Sequence, residues 1–118
     1  MSFLVNLTPH RIVETIGKVD LPPADYNDVI RIYHTQEKIG SIMDAPVYSI
    51  SLELAIDLPE KKDGCFYVVS KRVAEAILLN HPERDDFLYP GEMVYENKKP
   101  VGCKGFVSTQ KKLKGKIC

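Results

Sequence analysis

The chain has no excess of charge of either sign, too few cysteines for a framework, and no long apolar run. Sixteen Lys plus Arg against sixteen Asp plus Glu in 118 residues remove the basic surface that general nucleic-acid binding uses to displace counterions from phosphates. A local anion pocket stays open. Cys65, Cys103 and Cys118 cannot all pair, and none stands in a Cys-x-x-Cys or Cys/His ligand spacing. That speaks against a disulfide or zinc framework and for free thiols in a reducing compartment. No stretch is long and apolar enough to span a bilayer, and residues 1–10 carry no basic leader, so the expectation is a soluble cytoplasmic protein. Repeats, linkers and low-complexity segments are also missing. One domain is therefore expected, and a composition 44% hydrophobic is enough for a core without metal support.

What is there centres on residues 64–80, where a short β-prone run passes through one serine into a helix. Residues 65–69 are bulky, aromatic or β-branched after a glycine, which suits a strand buried on both faces. Ser70 fits a helix N-cap, because its hydroxyl can accept from the free N–H groups of the first turn. Val73 with Ile77, and Ala74 with Leu78, repeat at four to make an apolar stripe; Asn80 and Pro82 end it.

The rest of the chain reads as strands and turns. Residues 3–8 alternate as a first strand ended by Pro9. Residues 12–16 and 19–21 make a hairpin about Gly17-Lys18, and Pro22-Pro23 breaks the sheet. After a polar turn at 24–28, residues 29–33 resume a strand that carries Arg31. Residues 35–41 read as a polar connection to a hairpin tip at 43–46. Residues 47–55 show the clearest period of two, with Tyr48, Ile50, Leu52 and Leu54 on one face of a half-buried strand. A charged loop spans 57–64. Residues 87–89 read as a strand stopped by a Pro90-Gly91 turn, and 93–95 with 101–107 form a last hairpin about 97–100. Residues 108–118, with four lysines, are expected to be a flexible tail outside a domain of residues 1–107. The fold class expected is α+β, β-rich, with one main helix at about 70–80 on a mixed or antiparallel sheet.

Two clusters carry candidate chemistry. Lys71 and Arg72 stand in the first helical turn, where the macrodipole already presents positive charge. An anion there would receive the free N–H groups, the Ser70 hydroxyl and both cations; alternatively both side chains extend into water, where the mismatch is cheap. Asn6, Thr8 and His10 gather an amide, a hydroxyl and an imidazole in five residues, suited to a phosphate, ribose or base edge. The competing reading is turn chemistry, with Asn6 and Thr8 bonded to the backbone and His10 at a sheet edge. Ser70 lacks a nucleophile-elbow sequence. Cys103, near two glycines, is more simply a buried strand cysteine. His81, Glu83, Asp85 and Asp86 match no metal spacing.

In order along the chain, Asn6 to His10 as Asn-Leu-Thr-Pro-His, Leu21-Pro22-Pro23, Arg31, Leu58-Pro59-Glu60, Tyr67-Val68-Val69-Ser70, Asp86 before Pro90-Gly91, and Gly102-Cys103-Lys104-Gly105-Phe106 resemble a group of small proteins of tailed phages and prophages. The resemblance covers about residues 5–107 and departs at residues 25–28 and in the lysine-rich end. It implies a source and a fold more than a reaction. By analogy with small phage accessory proteins that act against host defences, the expected function is a non-catalytic sponge for an anionic, nucleotide-derived signal. Its expected ligand-binding residues are Asn6, Thr8, His10, Arg31, Ser70, Lys71, Arg72 and Lys104, with no cofactor or metal. A homo-oligomer is expected, since short hairpins leave sheet edges to cover. The alternatives are a small phosphodiesterase or nucleotide hydrolase using His10, and a protein-binding inhibitor or minor virion protein.

Overall fold

A computed structural model describes residues 2–109, and the lysine-rich end expected to be flexible lies almost wholly outside them. The protein is β-rich α+β, with one α-helix on a mixed sheet. Strands β1 (Phe3–Asn6), β2 (Ile12–Glu14), β3 (Val19–Leu21), β4 (Ile32–Ile42) and β5 (Ala45–Leu54) precede β6 (Cys65–Val68) and helix α1 (Lys71–Asn80). Strands β7 (Phe87–Glu96) and β8 (Lys99–Ser108) follow. Six strands form one sheet in the order β1-β6-β7-β8-β2-β3, while β4 and β5 form a sheet of their own. In the six-stranded sheet, β1, β6 and β7 run parallel, as do β8 and β2, and the pairs β7–β8 and β2–β3 are antiparallel.

The sheet curls until its two edges meet. The Asn6 amide on β1 donates to the carbonyl of Pro22, just past β3, at 2.9 Å, and the N–H of Ala24 reaches the carbonyl of Thr8 at 3.0 Å. The concave side encloses Ile12, Val68 and Cys103, packed with Leu4, Leu21 and Phe106. The convex side of β6 and β7 carries Tyr67, Val69 and Phe87, against which α1 lays Val73, Ala74 and Ile77. As the run of bulky residues predicts, Tyr67, Val68 and Val69 are buried on both faces of the layer.

Helix α1 starts where its serine predicts: the Ser70 hydroxyl oxygen accepts from the Val73 N–H at 3.3 Å. At the other end the His81 N–H closes on the Ile77 carbonyl. Ala74 and Ala76 are buried, whereas Leu78 is half exposed, so the buried face is turned from Leu78 towards Ala76.

Several boundaries differ from expectation. Strand β1 stops at Asn6 rather than residue 8, because the next residues bend into the turn that Asn6 organises. Strand β2 stops at Glu14, and residues 15–18 form a four-residue turn in which the Ile16 and Gly17 N–H groups donate to the Glu14 carboxylate. Val29 and Ile30 are buried outside any strand, and β4 begins at Ile32. Residues 35–41 are strand rather than connection, since they zip against β5 from a tip at Met43-Asp44, both at positive φ. Pro90-Gly91 is not a turn. Gly91 lies so close to β8 that an added Cβ would meet the Lys104 carbonyl oxygen at 2.3 Å, and β7 runs straight through. Strand β5 is not half-buried along its length: Leu52 and Leu54 are shielded at its base, but Tyr48 and Ile50 are exposed. The last hairpin is present and turns at Asn97-Lys98.

Candidate functional site

A cavity of about 650 Å³ opens between the β1–β2 turn, the chain entering β4, the start of α1 and the β7–β8 hairpin. Its walls are mainly apolar, with Pro9, Ile12, Val13, Val73, Met93 and Pro100 supplying much of the surface. Polar groups enter at four points, Thr8, His10, Arg31 and Ser70. Few polar groups convergent on an apolar hollow is the usual make-up of a small-molecule site.

The rim next to β1 is built by Asn6. Its amide donates to the carbonyls of His10 at 2.8 Å and Pro22 at 2.9 Å, and its Oδ1 accepts from the backbone N–H of Thr8 at 2.9 Å and the Thr8 hydroxyl at 2.7 Å. Two donors and two acceptor sites are thus all occupied, and Asn6 is buried. It shapes the rim and has nothing left for a ligand. Thr8 reaches the cavity wall, though its hydroxyl is committed to the same turn and also accepts from the His10 N–H at 3.3 Å. His10 is held only through its backbone. Its imidazole is exposed at the mouth and has no hydrogen-bond partner among the described residues.

Arg31 is the one permanently charged side chain among the described lining residues. Its guanidinium lies over the Tyr26 ring, 5.2 Å from the centroid, a geometry that attracts the cation to the ring face and limits its rotamers. Tyr26 stands in a one-turn 3-10 segment, Tyr26–Asp28, inside a stretch that reads in sequence as a plain polar turn. No signal in the sequence separates it from its neighbours. The apolar walls from Met93 and Pro100 are equally illegible, since they belong to the β7–β8 hairpin far along the chain.

Ser70 lines the cavity while it caps α1, but the two cations after it do not. Val73 and Ile77 must face the core, and that rotation carries Lys71 and Arg72 away. Arg72 lines a separate groove of about 490 Å³ beside β5. Lys104 is exposed on β8 opposite Glu92 and lies off the cavity. Four of the eight expected residues, Thr8, His10, Arg31 and Ser70, thus come together at the cavity; Asn6 stands behind it, and Lys71, Arg72 and Lys104 are elsewhere.

Cys103 contributes to the cavity wall from the concave core. Burial pushes its thiol above the ordinary value, the Gly91 N–H pulls it back in part, and the nearby Glu14 charge adds to the rise, so it stays a protonated wall residue at neutral pH. Glu14 is the buried carboxylate of this end. Burial would raise its pKa, but the backbone N–H groups of Gly17, Gly105 and Ile16 outweigh that and hold it below the ordinary value. The acidic residues after α1 serve as ion-pair partners: Asp85 meets Lys61, and Asp86 takes a bidentate Arg84, whose guanidinium covers the Phe87 ring. Among the described residues no three His, Cys, Asp or Glu side chains converge as metal ligands. Nor is any helix among them long and apolar enough to cross a membrane.

No protein family, characterised protein or solved structure gives a significant match to this chain.

Proposed function

We propose that the chain is a binding module which takes a small anionic, nucleotide-derived ligand into the cavity at Arg31 and holds it without turnover. The observation that carries this reading is the pairing of extensive apolar wall with the Arg31 cation, its guanidinium over the Tyr26 ring. An aromatic base has a face for the wall at Pro9, Val13 and Met93, and a phosphate has Arg31, with the His10 imidazole as a further hydrogen-bonding group. Ser70 uses an acceptor lone pair in capping α1, which leaves its hydroxyl proton for the ligand. Arg31 supplies one full positive charge among the described lining residues, a match for one phosphodiester charge.

The resemblance to tailed-phage proteins gives the reading its biological form. In the cytoplasm of an infected host, such a module lowers the free concentration of a defence signal by stoichiometric capture. The test is to incubate the protein with cyclic mono- and dinucleotides, remove unbound material, denature, and analyse what is released. Intact release that is lost in Arg31→Ala supports sequestration. Altered nucleotide would replace the reading with hydrolysis at His10, and no uptake, or uptake unchanged in Arg31→Ala, would remove the site.

A further inference from the structure

The β4–β5 arm is the one large feature that the ligand cavity leaves unexplained. Among the described residues it is a two-stranded sheet with no third strand on either edge, and a lone hairpin is at best marginally stable in water. Its apolar stripe begins in the core at Leu54, continues at Leu52 beside α1, and runs on into solvent at Ile50 and Tyr48, 58% and 51% exposed. The tip adds Met43, 96% exposed. With the arm extended, the radius of gyration is 16.8 Å, against about 13 Å for a compact chain of this length.

At the base of the arm lies the groove already noted beside β5, bounded by Ile50, Leu52, Leu79 and Arg72 with Glu53 on its rim. The Asn80 amide takes the Leu52 carbonyl at 3.0 Å, which shows that this residue points its backbone away from β4. By the alternation of an antiparallel strand, Ile50 and Tyr48 do the same and offer an unpaired edge. The charges of the two ends are complementary. The outer arm carries Glu37 and Asp44 against Lys38, while the groove at the base presents Arg72 beside Glu53, and the described residues supply Arg72 no ion-pair partner within reach.

We infer that the occupant of this edge and groove is a second copy of this chain, with two arms antiparallel about a two-fold axis and β5 against β5. That arrangement joins the hairpins into a four-stranded sheet and sets Tyr48 and Ile50 of both copies side by side on one face of it. It also sets the acidic tip of each arm at Asp44 beside Arg72 at the base of the other. One surface holds both halves of the interface, so a two-fold axis satisfies it completely and closes the assembly at two copies. Arg72, which opposes the α1 dipole, thereby gains a carboxylate.

Sedimentation velocity over a concentration series tests the inference on the full chain. A reversible dimer is expected, and Ile50→Lys should raise its dissociation constant about thirtyfold or more, as for a central apolar contact. Arg72→Glu and Asp44→Lys should each weaken it, and the double variant Asp44→Lys/Arg72→Glu should regain most of the loss. Glutamate suits the first turn of a helix, so Arg72→Glu separates dimer loss from unfolding, with near-ultraviolet circular dichroism confirming the native fold. A monomer at every concentration overturns the inference, as does a dimer indifferent to Ile50→Lys or a double variant no better than the single ones. Nucleotide uptake by the Ile50→Lys monomer is expected to persist, because none of these residues lines the cavity.

Discussion

The molecule contains two long hairpins built to nearly the same local plan and placed in different surroundings. Both β4–β5 and β7–β8 have strands of ten or eleven residues, and each contains one register irregularity. Each turns on two residues at positive φ, Met43-Asp44 at 50° and 65° and Asn97-Lys98 at 51° and 65°, the conformation that matches the right-handed twist of paired strands. Yet β7–β8 has β6 on one side and β2 on the other and buries Phe87, Leu88 and Cys103, while β4–β5 buries none of its residues fully. Turn chemistry and pairing make a hairpin. Neighbours alone make it part of a core.

The largest expected contrast is in packing. Phe87→Ala should cost about 3–5 kcal/mol, because the ring is fully buried under Arg84 and against Tyr67. Tyr33→Ala on the arm should cost less than about 1 kcal/mol, the scale of one cross-strand pair. Denaturant melts of both variants read the difference, and equal losses would show that the arm shares the core. A smaller contrast comes from two glycines. At Gly91 a Cβ collides with the β8 backbone, whereas at Gly40 nothing lies within 4 Å. Gly91→Ala should lose about 1–3 kcal/mol or more, and Gly40→Ala should stay within about 0.5 kcal/mol.

The smallest effect expected is in pH. The folded pKa of Glu14 is depressed, so its contribution is fully present above the ordinary glutamate value of about 4.3 and is lost as pH falls through the lower folded value. Glu14→Gln should therefore flatten the acid limb of a stability profile for the body. It should leave hydrogen exchange in the arm unchanged, because the N–H groups that Glu14 accepts from belong to the β2–β3 turn and β8.

The sequence was most legible where structure is set within a few residues. The Ser70 cap, the Val73 and Ile77 spacing and the bulky run before them are local signals, and helix α1 with β6 stands where they place it. The β4–β5 arm shows the limit of that reading. Residues 35–41 are polar, so they look like a loop, but a register running out from Met43-Asp44 makes them strand. The alternation from Tyr48 to Leu54 marks an apolar face, though whether that face is covered depends on elements elsewhere in the chain. Pro90-Gly91 misleads for a similar reason: a pair suited to a turn also suits a strand that approaches its neighbour too closely for a side chain. At the cavity, polar residues inside apolar runs pointed to Thr8, His10, Arg31 and Ser70. The direction faced by Lys71 and Arg72 was set by which side of α1 docks, and the wall at Met93 and Pro100 by a strand order that no local pattern records.

The parallel pairing of β1 with β6 gives the chain a timetable. Phe3 finds its partner at Cys65, so during synthesis β1 leaves the ribosome and waits for some sixty further residues, roughly 3–12 s at ordinary elongation rates. The β4–β5 hairpin needs no residue beyond Leu54 and closes within about 1–10 μs of emerging. The arm can pair before β6 is there for β1, and a chaperone meeting the nascent chain would find Phe3, Val5 and Leu7 unprotected alongside the exposed Tyr48 and Ile50 of the arm.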